Sequence, residues 1–262
     1  MVDDFLDISV SIVTFNNSDV LKNRLEILLP IFKENGVNKL IIVDSASTDK
    51  TQAILKDFSS VYPMLDLILL QQNRGFGYGH NMAIREVTSQ YHIVMNLDST
   101  PNQRNSLIKM AQYMNAHPGV DLLSPLVRYP NGDIQYLTRN EPTVFDLGIR
   151  LLGSNWFKNR QEKFVHLEDG YDHEQKILNA TGSFMFLRTE TLQRIGGFDE
   201  RYFLYMEDTD LTKTINENGK AIFSPEFEVI HEWKRGNHSV NGSKIMISSM
   251  IKYFGKWGWR FF

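Results

Sequence analysis

The sequence predicts an α/β fold, a mostly parallel central sheet flanked by helices. Three observations carry that prediction. Apolar, β-branched runs alternate with segments of helical spacing as far as Asp98. Each of those runs ends on polar residues, as strands do where an α/β sheet binds its ligand. The composition, 42% hydrophobic and 23% charged over 262 residues, is that of a globular chain long enough to bury a sizeable core.

Ile8–Phe15 reads as the first buried strand, and Asn16, Asn17, Ser18 and Asp19 follow as turn and cap residues. Val20–Lys33 carries Leu21, Leu25, Leu28, Leu29 and Phe32 at helical spacing. Leu40–Val43 is a second strand ending at Asp44, with a helix after it to about Phe58. Leu65–Leu70 is a third strand. Asn73–Asn81, NRGFGYGHN, is a glycine-rich turn opening a helix, and Tyr91–Leu97 is a fourth strand stopping at Asp98. Asn16, Asp44, Asn73 and Asp98 therefore all fall at predicted carboxyl ends. Beyond Asp98 the pattern changes. Asn105–Ala116 is helical, and Asp121–Tyr136 reads as two short strands around the turn Pro130–Asp133. Glu141–Gln175 is too long for a plain loop and is expected to be a mobile or helical segment facing substrate. Ala180–Leu187 is strand-like, and Thr189–Ile195 is a short helix ended by Gly196-Gly197.

A net charge of −3 gives no general field for nucleic acid. The absence of cysteine excludes disulfides, thiolate metal sites and cysteine nucleophiles, and fits a reducing cytoplasm. The start, MVDDFLD, is acidic with no long apolar run, so no secretory signal is expected, and no stretch reaches the ~18–20 apolar residues of a membrane span. Contact with a membrane would be peripheral.

The densest chemistry lies in Ile195–Leu211, IGGFDERYFLYMEDTDL, where Asp199, Glu200, Glu207, Asp208 and Asp210 surround an aromatic run. Asp208 or Asp210 reads either as a helix N-cap or as a general base in a partly apolar pocket. Gly75, Gly77 and Gly79 form GxGxG rather than GxGxxG, which serves either a tight turn or close approach to a nucleotide or sugar. Asp98 in Asn96-Leu97-Asp98 either caps the next element or holds a hard divalent cation with substrate phosphates. His231, in IHEW, is either a packed histidine or a metal ligand. Lys234 and Arg235 beside it are either a solvated basic pair or extra charge for a diphosphate.

In this order the motifs VSIVTFNN, IIVDSASTDKT, NRGFGYGHN, NLDST, TGSFMFLRTETLQRIGGFDERYFLYMEDTDL and HEWKRG resemble the inverting family-2 glycosyltransferases of the GT-A fold, from Val10 to about Trp259. The resemblance implies that Asp44 holds the donor's base, that Asp98 and His231 bind Mn²⁺ or Mg²⁺ on the diphosphate, and that Asp208 is the catalytic base. Donor contacts are expected at Thr14, Asn16, Asp44, Asn73, Gly75, Asn81, Asp98 and Lys234, and acceptor contacts at Glu207 and Trp233. One departure is Asn96, where the family often has the first aspartate of D-x-D; related bacterial enzymes carry N-P-D. Together with the acidic segment, the tail IKYFGKWGW resembles bacterial rhamnosyltransferases of surface-polysaccharide assembly. That implies a dTDP-L-rhamnose donor, a polyprenyl-diphosphate-linked saccharide acceptor, and work at the inner face of the cell membrane; a homo-oligomer is compatible. A catalytically inactive saccharide- or nucleotide-binding protein on the same fold is the alternative. A nucleotidyltransferase or dinucleotide oxidoreductase is disfavoured, because the first turn, Phe15–Asp19, has neither glycine nor a basic cluster.

The expected organisation is one domain over residues 1–242, its donor-binding half in 1–100 and its acceptor-binding half in 101–242, followed by an amphipathic segment, 243–262. In that tail Met246, Met250 and Phe254 share a row, Ile247 and Ile251 lie beside it, and Lys252, Lys256 and Arg260 form a basic row. The pattern describes a helix lying on an anionic membrane or one packed on the protein, with a break near Gly255 or Gly258.

Overall fold

The computed structural model describes residues 6–152, 157–232 and 240–262. Strand and helix alternate at first: β1 (Ile8–Thr14), α1 (Leu21–Glu34), β2 (Val37–Asp44), α2 (Thr51–Val61), β3 (Leu65–Leu69), α3 (Phe76–Ile84) and β4 (Tyr91–Met95). There follow β5 (Ser99–Pro101), α4 (Ser106–Ala116), β6 (Leu122–Arg128), α5 (Val144–Leu152), α6 (Lys158–Phe164), β7 (Gln175–Lys176), β8 (Phe184–Arg188), α7 (Thr189–Ile195), α8 (Glu207–Asn218), β9 (Ala221–His231) and α9 (Val240–Trp257).

The strands form one sheet in the order β3-β2-β1-β4-β8-β6-β9-β5, with β7 beside β9. The first four in that order are mutually parallel, as each helical crossover between them requires. The parallel pattern stops at β8, which runs antiparallel to both β4 and β6. β6 and β9 pair parallel, while β5 and β7 run antiparallel to β9. The sheet is therefore parallel in its first half and mixed in its second. The long excursion after β6 brings the chain back beside the carboxyl end of β4, so β8 enters pointing the other way.

Alternation along β1 decides what each face carries. Ile8, Val10 and Ile12 pack with the α1 residues Leu21, Leu25, Leu28, Leu29 and Phe32, the set whose spacing predicts the helix. Ser9 and Ser11, equally buried, turn to the other face and meet two buried histidines, His80 and His92. The predicted hairpin forms only in part. Tyr129 N–H donates to Asp133 and Gly132 N–H to Tyr129, but the return strand reduces to one bridge, Arg128 to Ile134. The excursion 141–175 is helical in α5 and α6. Thr189–Ile195 is a helix as predicted, closed by Gly196 and Gly197 at φ +80° and +73°.

The tail is a helix that ends at Trp257, with Gly258 at φ +91°. Its inner face, Tyr253 and Phe254 with Met250 and Trp257, packs on Tyr202, Met206 and Leu147. The basic row corrects the expectation of cations facing an anionic surface. Lys252 donates to the Arg201 carbonyl, Lys256 pairs with Asp210 at 2.8 Å, and Arg260 pairs with Glu141. Beside the exposed Lys244 and Arg260, the tail exposes the apolar side chains of Ile247, Ile251, Trp259, Phe261 and Phe262. No helix among the described residues is long and apolar enough to cross a membrane.

Candidate active site

The carboxyl ends of β1 and β2 meet in register at Thr14 and Asp44. Asp44 is fully buried. Its Oδ2 accepts from Ser47 N–H at 2.9 Å and Gln52 Nε2 at 2.8 Å, and its Oδ1 from the Thr14 hydroxyl at 3.4 Å. The carboxylate is thus built into the loop after β2, with only Oδ1 weakly engaged. Asn16, left-handed at φ +53°, ties that loop to β1: its N–H donates to Ser47 Oγ and its Oδ1 accepts from Thr48 N–H.

The glycine-rich turn is explained by packing. Asn73 Oδ1 accepts from Gly75 N–H at 2.9 Å. Gly75 has φ +96°, and a Cβ there would collide with the backbone carbonyl of Phe203. At Gly77 a Cβ would meet the Phe198 side chain, and at Gly79 that of Val13. The close approach these glycines permit is to the chain's own acidic segment and to β1. Asn81 is likewise committed. Its Oδ1 accepts from Phe198 N–H and its Nδ2 donates to the Phe198 carbonyl, both at 2.8 Å, so a donor contact there would have to break a buried pair of hydrogen bonds.

Asp98 follows β4 in a tight turn, and the strand β5, not a helix, comes next, so the capping alternative falls away. The turn is clamped by Arg24 of α1, a buried guanidinium that donates to the carbonyls of Leu97 and Ser99 and to the Thr100 hydroxyl, and pairs with Glu232 at 2.7 Å. β9 delivers His231 opposite Ser99. Its Nδ1 lies 3.0 Å from Gln135 Oε1, and its backbone carbonyl accepts from Gln135 Nε2 at 2.7 Å. With the ring so oriented, Nε2 lies 3.3 Å from Asp98 Oδ1 and, among the described residues, is buried without a hydrogen-bond partner. Burial pushes the Asp98 carboxyl up, but the adjacent His231, with the Asp98 backbone and Arg24, outweighs it and holds the group below the usual carboxylate range. A carboxylate facing an unpartnered imidazole nitrogen suits a divalent cation. Among the described residues no group of three such side chains assembles.

The acidic turn lies across the same sheet end. Asn96 N–H and the Ser99 hydroxyl donate to the Ser183 carbonyl, at 3.0 and 2.8 Å, joining the Asp98 turn to the loop before β8. One residue earlier, Gly182 N–H donates to Asp208 Oδ2 at 3.2 Å. This use of Gly182 and Ser183 explains why the predicted strand 180–187 begins only at Phe184. Asp208 Oδ1 accepts from Thr209 N–H at 2.8 Å. Two left-handed residues, Tyr205 at φ +69° and Met206 at φ +70°, turn the chain into α8 and put Glu207 and Asp208 in its first turn. Asp208 is half-buried, whereas Glu207 is 6% exposed with Oε2 unpartnered. Burial, and then the charge of Asp208, push the Glu207 carboxyl up to about 8. Asp210 accepts from Tyr202, Lys256 and Trp257, so it serves packing rather than capping.

Sequence reasoning missed Arg24, Gln135, Gly182 and Arg139. Arg139 pairs through its backbone with Asn179, whose Oδ1 accepts from Thr209, and its Nε is buried without a hydrogen-bond partner among the described residues. Burial lowers its guanidinium pKa, against the pull of Asp208. Arg24 was visible as a cation at Leu21 + 3, on the apolar row of α1; the others left no local signal. Trp233, Lys234 and Arg235 lie outside the described residues.

A half-parallel sheet with an Asp–His pair at the end of β4 and an acidic turn facing it is the layout of a GT-A glycosyltransferase. Solved structures of that fold superpose over nearly the whole chain. The mannosyltransferase PcManGT from Pyrobaculum calidifontis, in complex with GDP-Man and Mn²⁺, aligns with a TM-score of 0.65 at 20% identity, covering 95% of this chain and 63% of that one. GalNAc-T7 with UDP, GalNAc and Mn²⁺ aligns with a TM-score of 0.68 at 13% identity, over 97% of this chain and 48% of that one. More particularly, the model of glycosyl transferase family 2 matches residues 9–196, and the chain belongs to that family. Among its relatives, N-acetylglucosaminyl-diphospho-decaprenol L-rhamnosyltransferase of Mycobacterium tuberculosis is 29% identical over 208 residues, 73% of this chain, which spans 66% of that relative's length. Rhamnosyltransferase WbbL of Escherichia coli is 26% identical over 240 residues, 88% of this chain and 85% of its own.

Proposed function

We propose that this chain transfers a sugar, with inversion, from a nucleotide diphosphate to a hydroxyl of a lipid-linked saccharide, and that the sugar is L-rhamnose carried by dTDP. The observation that carries the reaction is the contrast inside Glu207-Asp208. Asp208 is the more accessible of the two and is held by two backbone N–H groups, while Glu207 is buried, and burial with the charge of Asp208 pushes its carboxyl up towards the neutral form. A positioned carboxylate beside a neutral acid is suited to general-base work. Asp208 takes the proton of the acceptor hydroxyl. The acceptor oxygen forms its bond to the anomeric carbon from the face opposite the diphosphate, and the bond to the diphosphate breaks with its electron pair leaving on phosphate oxygen. Asp98 and His231 would hold a divalent cation, which supplies neutralisation of charge on the departing diphosphate. Thr14, Asp44 and the loop to Gln52 form the donor's base site, with Asp44 Oδ1 the available acceptor. Rhamnose and the lipid-linked acceptor are supported by what the mycobacterial and Escherichia coli relatives are named for. The exposed apolar residues of the tail support peripheral contact with the membrane that carries such an acceptor, at its cytoplasmic face.

The test is turnover of dTDP-rhamnose and other nucleotide sugars, with and without Mn²⁺, by the wild-type chain and by Asp208→Asn. The substitution keeps size and hydrogen bonding while removing basicity. A loss of at least ~10²-fold in turnover is expected, with donor binding retained. Near-normal turnover of the variant removes Asp208 as the base.

A further inference from the structure

The loop that aims Glu207 and Asp208 is gripped from outside by the C-terminal helix. Tyr205 and Met206 adopt a left-handed backbone that side chains with a Cβ rarely take, so surrounding contacts must maintain it. Phe76 N–H of α3 holds the Phe203 carbonyl at 3.0 Å, and α9 holds the residues on either side. Ser249 Oγ donates to the Leu204 carbonyl at 2.8 Å, and Lys252 Nζ to the Arg201 carbonyl at 2.5 Å. Tyr253 and Phe254 pack on Tyr202 and Met206. In the first turn of α8, Asp210 is 2% exposed and receives three donors: Trp257 Nε1 at 2.7 Å, Lys256 Nζ at 2.8 Å and the Tyr202 hydroxyl at 3.2 Å. Lys256 also reaches Asp199 Oδ2 at 3.4 Å, at the other end of the same loop.

A buried ion pair is a poor device for stability alone, because apolar side chains of similar volume fill such a place as well or better. Its use here is directional. A carboxylate with three specific donors admits one orientation, and Asp210 lies two residues from Asp208 in the same first turn of α8. A shift of the first turn of α8 moves both. We propose that Asp210, Lys256 and Trp257 form a latch through which the C-terminal helix sets the position of Asp208, making the three positioning residues for transfer. The proposal rests on Asp208 being the base.

The experiment compares Trp257→Phe, Lys256→Met and Lys256→Arg with the wild-type chain, each well below its own unfolding temperature. Turnover number and donor KM are measured, together with hydrogen exchange across the whole chain. Misplacement of a catalytic group by about an ångström costs on the order of 10²-fold, so a fall in kcat of about 10–100-fold is expected for W257F and K256M. Donor KM should stay within about twofold, since the nucleotide side is untouched. K256R should recover most of the loss. Exchange should rise in the segment 202–210 and not in β1 to β4. Unchanged kcat in W257F and K256M would overturn the latch, as would exchange rising evenly over the whole chain, which marks lost stability only. Asp208→Asn is run alongside: if it turns over normally, the base assignment fails and takes the catalytic part of the proposal with it. If it is inactive while the latch variants are normal, the latch alone fails.

Discussion

Glu207 and Asp208 are neighbours in the chain and opposites in environment, and that contrast makes a measurable difference to stability. Burial, and then the charge of Asp208, push the Glu207 carboxyl in the folded chain up to about 8, from an ordinary value near 4.5. A group raised in this way lends its full stability below the unfolded value and loses it as pH rises, because the unfolded chain ionises first. Glu207→Gln should therefore gain on the wild-type chain as pH rises from about 4.5 to about 8, by at most ~1.4 kcal/mol per pH unit, and gain nothing further above that range. Denaturant unfolding of both chains across that range checks it, and a constant difference would place the Glu207 proton elsewhere. At the other side of the site, His231 Nε2 faces Asp98 with no hydrogen-bond partner among the described residues. Asp98→Ala should weaken Mn²⁺ binding measured calorimetrically in the presence of a nucleoside diphosphate, since the ion would bridge protein and phosphate. An unchanged titration would show that Asp98 is not a ligand.

At the scale of elements, the sequence was legible where one face of an element met one environment. α1 buries the leucines and phenylalanine whose spacing announced it, and Gly196-Gly197 closes α7 as its position implied. Asp44 ends β2 and Asp98 follows β4, at the carboxyl ends that strand periodicity implied. What could not be read depends on contacts distant in sequence. Gly75 looks like a ligand loop until the Phe203 carbonyl is brought against it, and Asn81 looks free until Phe198 occupies it. The tail misled for the same reason. Its helical period was clear, but the partners of its cations, Asp210, Glu141 and the Arg201 carbonyl, come from three separate segments. The pairing changes the prediction for membrane contact. With those cations engaged, attachment should depend on Ile247, Ile251 and the terminal aromatics, and should change little between about 0.05 and 0.5 M salt. Vesicle co-sedimentation of the wild-type chain and an Ile247→Ser/Ile251→Ser variant tests this, with loss expected in the variant. Binding abolished by salt would return the role to the basic row, and no binding at all would end the membrane reading.

For the whole molecule, the parallel half of the sheet contains a polar chain that its apolar pattern conceals. Ser89 Oγ lies 2.6 Å from Ser9 Oγ, which lies 2.7 Å from His92 Nδ1; His92 Nε2 is 2.8 Å from Ser11 Oγ, itself 2.7 Å from His80 Nδ1. His80 Nε2 ends the chain without a partner, its ring 4.3 Å from that of Phe76. Both histidines are fully buried. Burial pushes His92 down to about 3 and His80 well below the ordinary imidazole value of 6.5, in His80 with the help of His92's charge. The sign follows from which state takes up protons. Above pH 6.5 both states are neutral at these positions and the fold keeps its full stability. As pH falls, the unfolded chain protonates and the folded chain does not, so stability is lost down to about 3 for His92. Glu207 acts in the opposite direction over about 4.5 to 8, so between about 4.5 and 6.5 two histidines oppose one acid and stability falls on acidification. The paired carboxylates do not confuse that window, since Asp199, held down to about 2 chiefly by Arg201, titrates below it. Each histidine contributes a slope of at most ~1.4 kcal/mol per pH unit. Unfolding free energies measured from about pH 4.5 to 6.5 should therefore fall on acidification in the wild-type chain, and the fall should lessen by up to that slope in His92→Gln. A slope that His92→Gln leaves unaltered would mean that the buried histidines are not what acid unfolds.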